Sequence, residues 1–378
     1  MTEILLWAGY FAVFAFLVHK GRSKDAVLSG SVGFGVQAFA YVATYISAVA
    51  LVGFGGLAHA YGLQMLLVAA GNVWFGTWAV YRFLAWPTRK WQERLGARTP
   101  AQLLGLGHGS PSLTRAMAFV FALFLGVYGS AVIKGAALLL AEILPVPVWA
   151  LIWLVAIIVG LTVFIGGLRG VLYTEAMQGV VMLVGMLMLV GAIFSKVGGP
   201  WEGMQALAAL PPSDLANNGF VSLSGGERGL FILSLVVVTS IAVWAQPQMM
   251  QRHFAIADPR QLKKTTPLAM FILTVLVGGA YFAAALSRLI LPEVASPDQV
   301  MPKLVQMLLP EFALHIFVLA IVSASLSTAT GIYHIAVSAL SEDLRGRPSN
   351  RLSWFTGIAI CVLVSGGCAQ IKGQLVAL

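Results

Sequence analysis

The sequence predicts an all-α membrane protein of about ten transmembrane helices, and three observations carry that reading. Hydrophobic residues make up 59% of the 378 positions and charged residues only 10%, with a mean hydropathy of +0.89, outside the range of soluble domains. Apolar windows of about 20 residues recur along the chain, each long enough to cross a bilayer at about 1.5 Å per residue. Basic residues gather in alternate connections between those windows.

In chain order the spans are expected at 3–19, 28–56, 62–86, 114–142, 147–167, 171–195, 229–250, 266–291, 311–340 and 353–371. The first is preceded by Glu3 and no basic residue, and it lacks a small-residue cleavage pattern, so it reads as a retained helix and not a signal peptide. The second is too long for one straight crossing. It is glycine-rich at both ends, but Ala43 to Ser47 carries neither Gly nor Pro, and the residues alone place no break there. After the third span comes a polar, helix-compatible linker, Pro87 to Leu113, punctuated by Pro87 and Pro100. The fourth span holds a deep charge, Lys134, for which pairing with a carboxylate ranks ahead of binding an acidic group or snorkelling to the interface.

Arg169 separates the fifth and sixth spans. Glu175, six residues further on, either lies on an ion pathway or is solvated near the interface. The connection 195–227, with Pro200, Trp201, Pro211 and Pro212, reads as a structured or partly mobile cap. In the seventh span, WAQPQMMQRHF (244–254) places Pro247 between Gln246 and Gln248. Proline removes a backbone donor and frees a carbonyl, so an interruption beside polar side chains competes with a simple kink. The ninth span carries Ser323, Ser325, Ser327, Thr328 and Thr330 within eight residues. Those hydroxyls either bond back to their own helix or offer oxygens to a small cation. Cys361 and Cys368, seven residues apart on one face of the tenth span, are packing residues.

Seventeen of the 23 Lys and Arg fall in the odd-numbered connections. They are Lys20, Arg22 and Lys24; Arg82, Arg89, Lys90, Arg94, Arg98 and Arg115; Arg169; Arg252, Arg260, Lys263 and Lys264; and Arg345, Arg347 and Arg351. The other connections hold only Lys196, Arg228, Arg288 and Lys303, with Lys372 at the end. The positive-inside rule then puts the odd connections in the cytoplasm and the N-terminus outside, in a multi-pass protein of the cytoplasmic membrane. The net charge of +9 reports topology and calls for no nucleic-acid partner. Two interrupted spans, five apart, are the mark of an inverted five-plus-five repeat with discontinuous helices. His19, His59, His108, His253, His315 and His334 are scattered, and the chain has neither HExxH nor paired intramembrane carboxylates, so neither an enzyme nor a transition-metal site is indicated.

Four stretches stand in register over most of the chain: ATYISAVALVGFGG (43–56), GGLRGVLYTEAMQGVVMLVG (166–185), AQPQMMQRHFAIAD (245–258) and ASLSTATGIYHIAVSALSEDL (324–344). Together they resemble the sodium:solute symporters, the family of sodium-coupled sugar, proline and pantothenate carriers. In order they are similar to its first, fifth, sixth and eighth core helices, the sixth in the QP form of the proline and pantothenate branches. The resemblance implies a sodium ion held by the carbonyls of Ala43, Ile46 and Ala324 and the hydroxyls of Ser327 and Thr328. Five neutral oxygens suit a hard monovalent cation, and Ala324, Ser327 and Thr328 at i, i+3 and i+4 share a helix face. Carbonyls at 43 and 46 are free only where the helix unwinds, so the ion site and a break there imply each other.

The function so implied is sodium-coupled symport of a small, carboxylate-bearing solute into the cell. Candidate solute contacts are Ser47, the Ala48 backbone, Tyr128, Trp244 and Gln246, with Glu175 on the inner ion pathway. Thr330 stands where the family often has an acid, which favours one sodium per cycle. Ala242, Val243 and Ala245 before Gln246, with Val49 and Ala50 in the first core helix, disfavour a sugar. Tyr45 replaces an acid of the proline branch, so proline itself is not indicated. The organisation expected is one transmembrane domain: an extra helix at 1–27, a first repeat at 28–195 and a second at 228–378. The resemblance implies a transporter core that is C-terminally incomplete, because the family normally continues through a tenth core helix beyond the position of Leu378. A second copy of the chain or a separately encoded segment would cover the groove left on the bundle. The alternative is a truncated, sensor-like or non-transporting fragment. The partners expected are lipid bilayer, small solute and sodium ion.

Overall fold

Apart from an isolated bridge between Ser213 and Ala216, the regular structure among the described residues is entirely helical. Lipid enforces this: each backbone N–H and C=O must find a partner within the chain, and a helix supplies them locally. The computed structural model describes residues 2–371 except 24, 29, 142–143, 225, 292–293 and 295, and of Val49, Leu139 and Asp298 it describes the backbone only. Lys24 and Lys372, counted above among the basic residues, lie outside the described residues.

Helix α1 (Thr2–Lys20) buries only Tyr10, Phe14 and Val18. Helix α2 (Phe34–Tyr45) stops at Ile46, whose backbone is extended (φ −97°, ψ 115°). The chain then re-enters a helix through a wide π turn, Val49–Gly53, and continues as α3 (Phe54–Tyr61). The expected span 28–56 is therefore two helical pieces that together run on to Tyr61. Gly62 turns the chain at φ 73°, where a Cβ would lie 2.2 Å from the Phe220 carbonyl oxygen. Helix α4 (Leu66–Val73), a π-helical stretch Trp74–Ala85 and α5 (Trp86–Leu95) follow. The polar linker folds into all of α5 after Trp86 and into α6 (Pro100–Gly107), whose first turn is capped by the Thr99 hydroxyl accepting from Gln102 N.

After α7 (Pro111–Ala141) comes α8 (Val148–Val197), 50 residues interrupted at Gly167 (φ 53°, ψ −160°). Unbroken it would run about 75 Å, more than twice the hydrocarbon thickness of about 30 Å. The corner falls at the edge of the expected fifth span. A Cβ on Gly167 would lie 2.8 Å from Ala26 Cα, and the adjacent Leu168 N donates to Ala26 O at 2.9 Å. Helix α9 (Pro200–Ala208) gives the long connection its structure.

Helix α10 (Gly229–Ser240) passes through a 3-10 turn to Gln246, extended at φ −68° and ψ 120°, before α11 (Pro247–His253) begins. Proline at the first helical position suits a start, because its missing N–H would be unpaired there anyway. The rest comprises α12 (Pro259–Leu273), a π turn Thr274–Gly278, α13 (Gly279–Leu286), α14 (Val300–Leu308), α15 (Glu311–Ser338) and α16 (Arg351–Ala369).

Among the described residues eight helical stretches are long and apolar enough to cross a membrane. Two of them, Ala50–Leu95 and Val148–Val197, each take in parts of two expected spans, and each contains a glycine corner, Gly62 or Gly167. Helix α15 is the axis of the fold, with every residue from Leu319 to Ser338 buried. On one side its residues belong to an apolar cluster with residues of α2, α3, the second arm of α8, α12 and α13; on the other, to a cluster with α7, the first arm of α8 and α16.

Candidate functional site

The last bond of α2 runs from Ile46 N to Val42 O, and the next piece starts with Ala50 N on Ser47 O. The carbonyls of Ala43 and Ile46 are thereby released from the helical ladder, and α15 passes directly beside them. Ser327 Oγ donates to Ala43 O at 2.7 Å and lies 3.1 Å from Ala324 O. Thr328 Oγ1 lies 3.4 Å from Ile46 O and 3.0 Å from Ala324 O. All five residues are at most 1% exposed. The expected set of Ala43, Ile46, Ala324, Ser327 and Thr328 is thus gathered into one oxygen cluster with no formal charge. Both hydroxyls donate inward; rotating their hydrogens away would leave lone pairs that could replace the hydration of a small monovalent cation.

The other hydroxyls of α15 divide. Thr330 and Ser338 bond back to their own helix, at 3.0 Å to Leu326 O and 2.7 Å to His334 O. Ser323 Oγ lies 2.8 Å from the Tyr10 hydroxyl of α1.

One turn beyond the cluster, Glu175 of α8 forms an ion pair with Arg252 of α11, and both side chains are fully buried. Solvation of Glu175 at the interface is therefore excluded. Arg252 corrects the sequence reading, which placed it in the seventh connection with Arg260, Lys263 and Lys264. The helix restarts at Pro247, so Arg252 stands in the last turn of α11, where its Nη1 donates to Gln248 O at 2.6 Å. Gly331 makes room for the pair: a Cβ there would lie 2.7 Å from Arg252 Nη2 and 3.3 Å from Glu175 Oε1.

Around it, Glu175 Oε2, both amide atoms of Gln178, Gln37 Oε1, Gln248 Oε1, Gln251 Nε2, both ring nitrogens of His253 and the Tyr81 hydroxyl are buried without a hydrogen-bond partner among the described residues. Each such group costs several kcal/mol in an apolar setting. Their density sets the surroundings of the ion pair apart from the packed apolar core.

Ser47, in the break itself, is buried, whereas Tyr128 of α7 is 38% exposed. Tyr45 donates to Thr239 O at 2.7 Å, which ties the α2 break to the end of α10. Gln246 Oε1 accepts from Gln248 Nε2 at 3.1 Å. The Trp244 N–H donates to Phe75 O at 2.8 Å, leaving its ring face for any ligand, and no described contact joins it to Ser47 or Tyr128. Ala48 opens the second helical piece.

Lys134 Nζ donates to Ile371 O at 2.8 Å. At the opposite end of α1, Glu3, Glu311 and His315 approach one another. The Trp7 N–H donates to His315 Nδ1 at 3.3 Å, which puts the ring proton on Nε2, facing Glu3 Oε2 at 3.6 Å. That proton suits a carboxylate contact and blocks the lone pair a metal would need.

The sequence model of the sodium:solute symporter family matches residues 27–365. The sodium/pantothenate symporter of Haemophilus influenzae is 27% identical over 347 residues, covering 87% of this chain and 69% of that protein. That of Escherichia coli is 28% identical over 324 residues, covering 84% of this chain and 65% of its own length. The chain therefore spans about two thirds of the length of these relatives. Among solved structures, the substrate-bound outward-open state of a Na+-coupled sialic acid symporter superposes with a TM-score of 0.75 at 16% identity, covering 98% of this chain and 82% of that one.

Proposed function

We propose, on the premise that the chain belongs to the sodium:solute symporter family, that it couples the entry of a sodium ion to import of a small carboxylate-bearing solute. The observation that carries this reading is the convergence of Ala43 O, Ile46 O, Ala324 O, Ser327 Oγ and Thr328 Oγ1 on one buried spot. Sodium at that spot would bridge α15 to the break after α2, and so stabilise the arrangement that holds Ser47 and the Ala48 backbone ready for solute. Binding energy gained by the ion in one conformation but not the other is what links the two. Tyr128, Gln246 and the ring of Trp244 complete the solute contacts. Release to the inside then follows a polar route past Glu175 and Arg252.

Two arguments support a carboxylate. The helix that restarts after Ser47 presents its positive dipole end toward the break, which favours an anionic group. Pantothenate and sialic acid, the solutes named for the relatives above, both carry a carboxylate. The reading includes ten crossings in two inverted halves, with Gly62 and Gly167 each dividing one long stretch. It also sets the N-terminus outside, an orientation supported by sixteen of the 23 basic residues once Arg252 is moved into the bundle.

The test is tracer uptake into proteoliposomes under an inward sodium gradient, with a competition panel of amino acids, short organic acids and sugars. Inhibition by carboxylates is expected. Inhibition by sugars alone would overturn the substrate class.

A further inference from the structure

A cavity of about 720 Å³ opens where α1 ends at Lys20, α8 turns at Gly167 and α16 begins at Arg351. Three helix ends at one level place it at a membrane surface, on the face rich in basic residues. We propose that it binds the anionic headgroup of a phospholipid. The proposal does not rest on the transport reading.

The charges lining the cavity carry the argument. The one acid among its described lining residues, Asp25, is taken in a two-pronged contact by Arg98, at 2.8 and 3.0 Å. Arg98 is committed again through Nε to Glu342 Oε1 at 2.7 Å. Arg22 and Arg351 also line the cavity, and neither has a carboxylate partner among the described residues. Two uncommitted guanidiniums therefore face a shared space, with His19 beside them.

The charge of Arg351 has no explanation in its own helix. It occupies the first turn of α16, where a cation opposes the helix dipole, and the capping there is done by Asn350 and Ser353. Its guanidinium rests 6.0 Å from the centre of the Phe164 ring at the cavity wall, which holds it toward the opening.

The surroundings select a lipid over a soluble anion. Ile165 lines the cavity and is 40% exposed, while Phe16 of α1 and Leu352 and Phe355 of α16 are 61%, 74% and 56% exposed. A phosphate between Arg22 and Arg351 would set acyl chains against this apolar row, whereas free phosphate would leave it uncovered. Basic pockets between helices at the membrane surface recognise phospholipid heads by this combination.

The experiment is native mass spectrometry of the detergent-purified full chain, offered phosphatidylglycerol, phosphatidylcholine or inorganic phosphate. Wild type should retain phosphatidylglycerol over phosphatidylcholine, and millimolar inorganic phosphate should not displace it. Retention by R22Q/R351Q should weaken about thirtyfold, the attraction typical of two basic groups near a surface. R22K/R351K, which keeps both charges, should bind as wild type does and so separates lost charge from misfolding. K90Q/R94Q removes two exposed cations from outside the cavity and should leave retention unchanged. Equal retention by wild type and R22Q/R351Q would overturn the site, as would an equal loss in K90Q/R94Q. Binding of inorganic phosphate without lipid would overturn the lipid as occupant.

Discussion

A guanidinium and a carboxylate taken out of water together, as Arg252 and Glu175 are, each carry a desolvation penalty of several kcal/mol that their attraction offsets only while both remain. Glu175→Gln or Arg252→Met alone should therefore cost about 3–5 kcal/mol, and the paired apolar replacement Glu175→Leu with Arg252→Met markedly less than either single change. Thermal unfolding in detergent reads this directly; a double variant that loses as much as the two singles combined would show that the pair is not coupled. Glu175 was legible as an acid inside a span. Its partner was not, because a count of basic residues assigns an arginine near a helix end to the nearest connection. Only the restart at Pro247 shows that residue 252 is still inside the bundle. The hydroxyls of Ser327 and Thr328 were legible by type and spacing, but the released carbonyls opposite them were supplied by family resemblance.

Two breaks shape the elements, and they differ in how they are written. The one at Gln246 is encoded locally, by a proline that cannot continue a helix. The one at Ile46 has no Gly or Pro, so local propensity does not produce it. It persists because Ser327 and Thr328 of α15 take up the carbonyls it releases, a tertiary cause that is silent in the local sequence. The corner at Gly167 is a third case: its φ of 53° and the approach of Ala26 both demand the absence of a Cβ. Gly167→Ala should destabilise by about 1–3 kcal/mol from backbone conformation alone, before the clash with Ala26 is added. Gly135→Ala, on an unobstructed helix face, should be neutral or stabilising by up to about 1 kcal/mol. Monodisperse yield on size exclusion compares the two, and equal yields would remove the corner from the account.

Across the whole molecule, α15 lies between two apolar halves and presents polar atoms to both. Movement of one half against the other must therefore remake the contacts of Ser327 and Thr328, so an ion held there senses the conformation of the bundle. The proposal that sodium, and not a proton, drives uptake rests on the five neutral oxygens at this spot, which suit a hard monovalent cation. Replacing Ser327 or Thr328 by alanine removes one of five oxygens, a loss of about 1–2 kcal/mol for a contact to a charged group. The most direct measurement is the sodium concentration giving half-maximal tracer uptake in proteoliposomes for wild type, Ser327→Ala and Thr328→Ala. The account predicts no uptake without sodium and a half-maximal concentration raised about tenfold in each variant. Equal uptake driven by a proton gradient in sodium-free medium, or an unchanged sodium requirement in both variants, would contradict it.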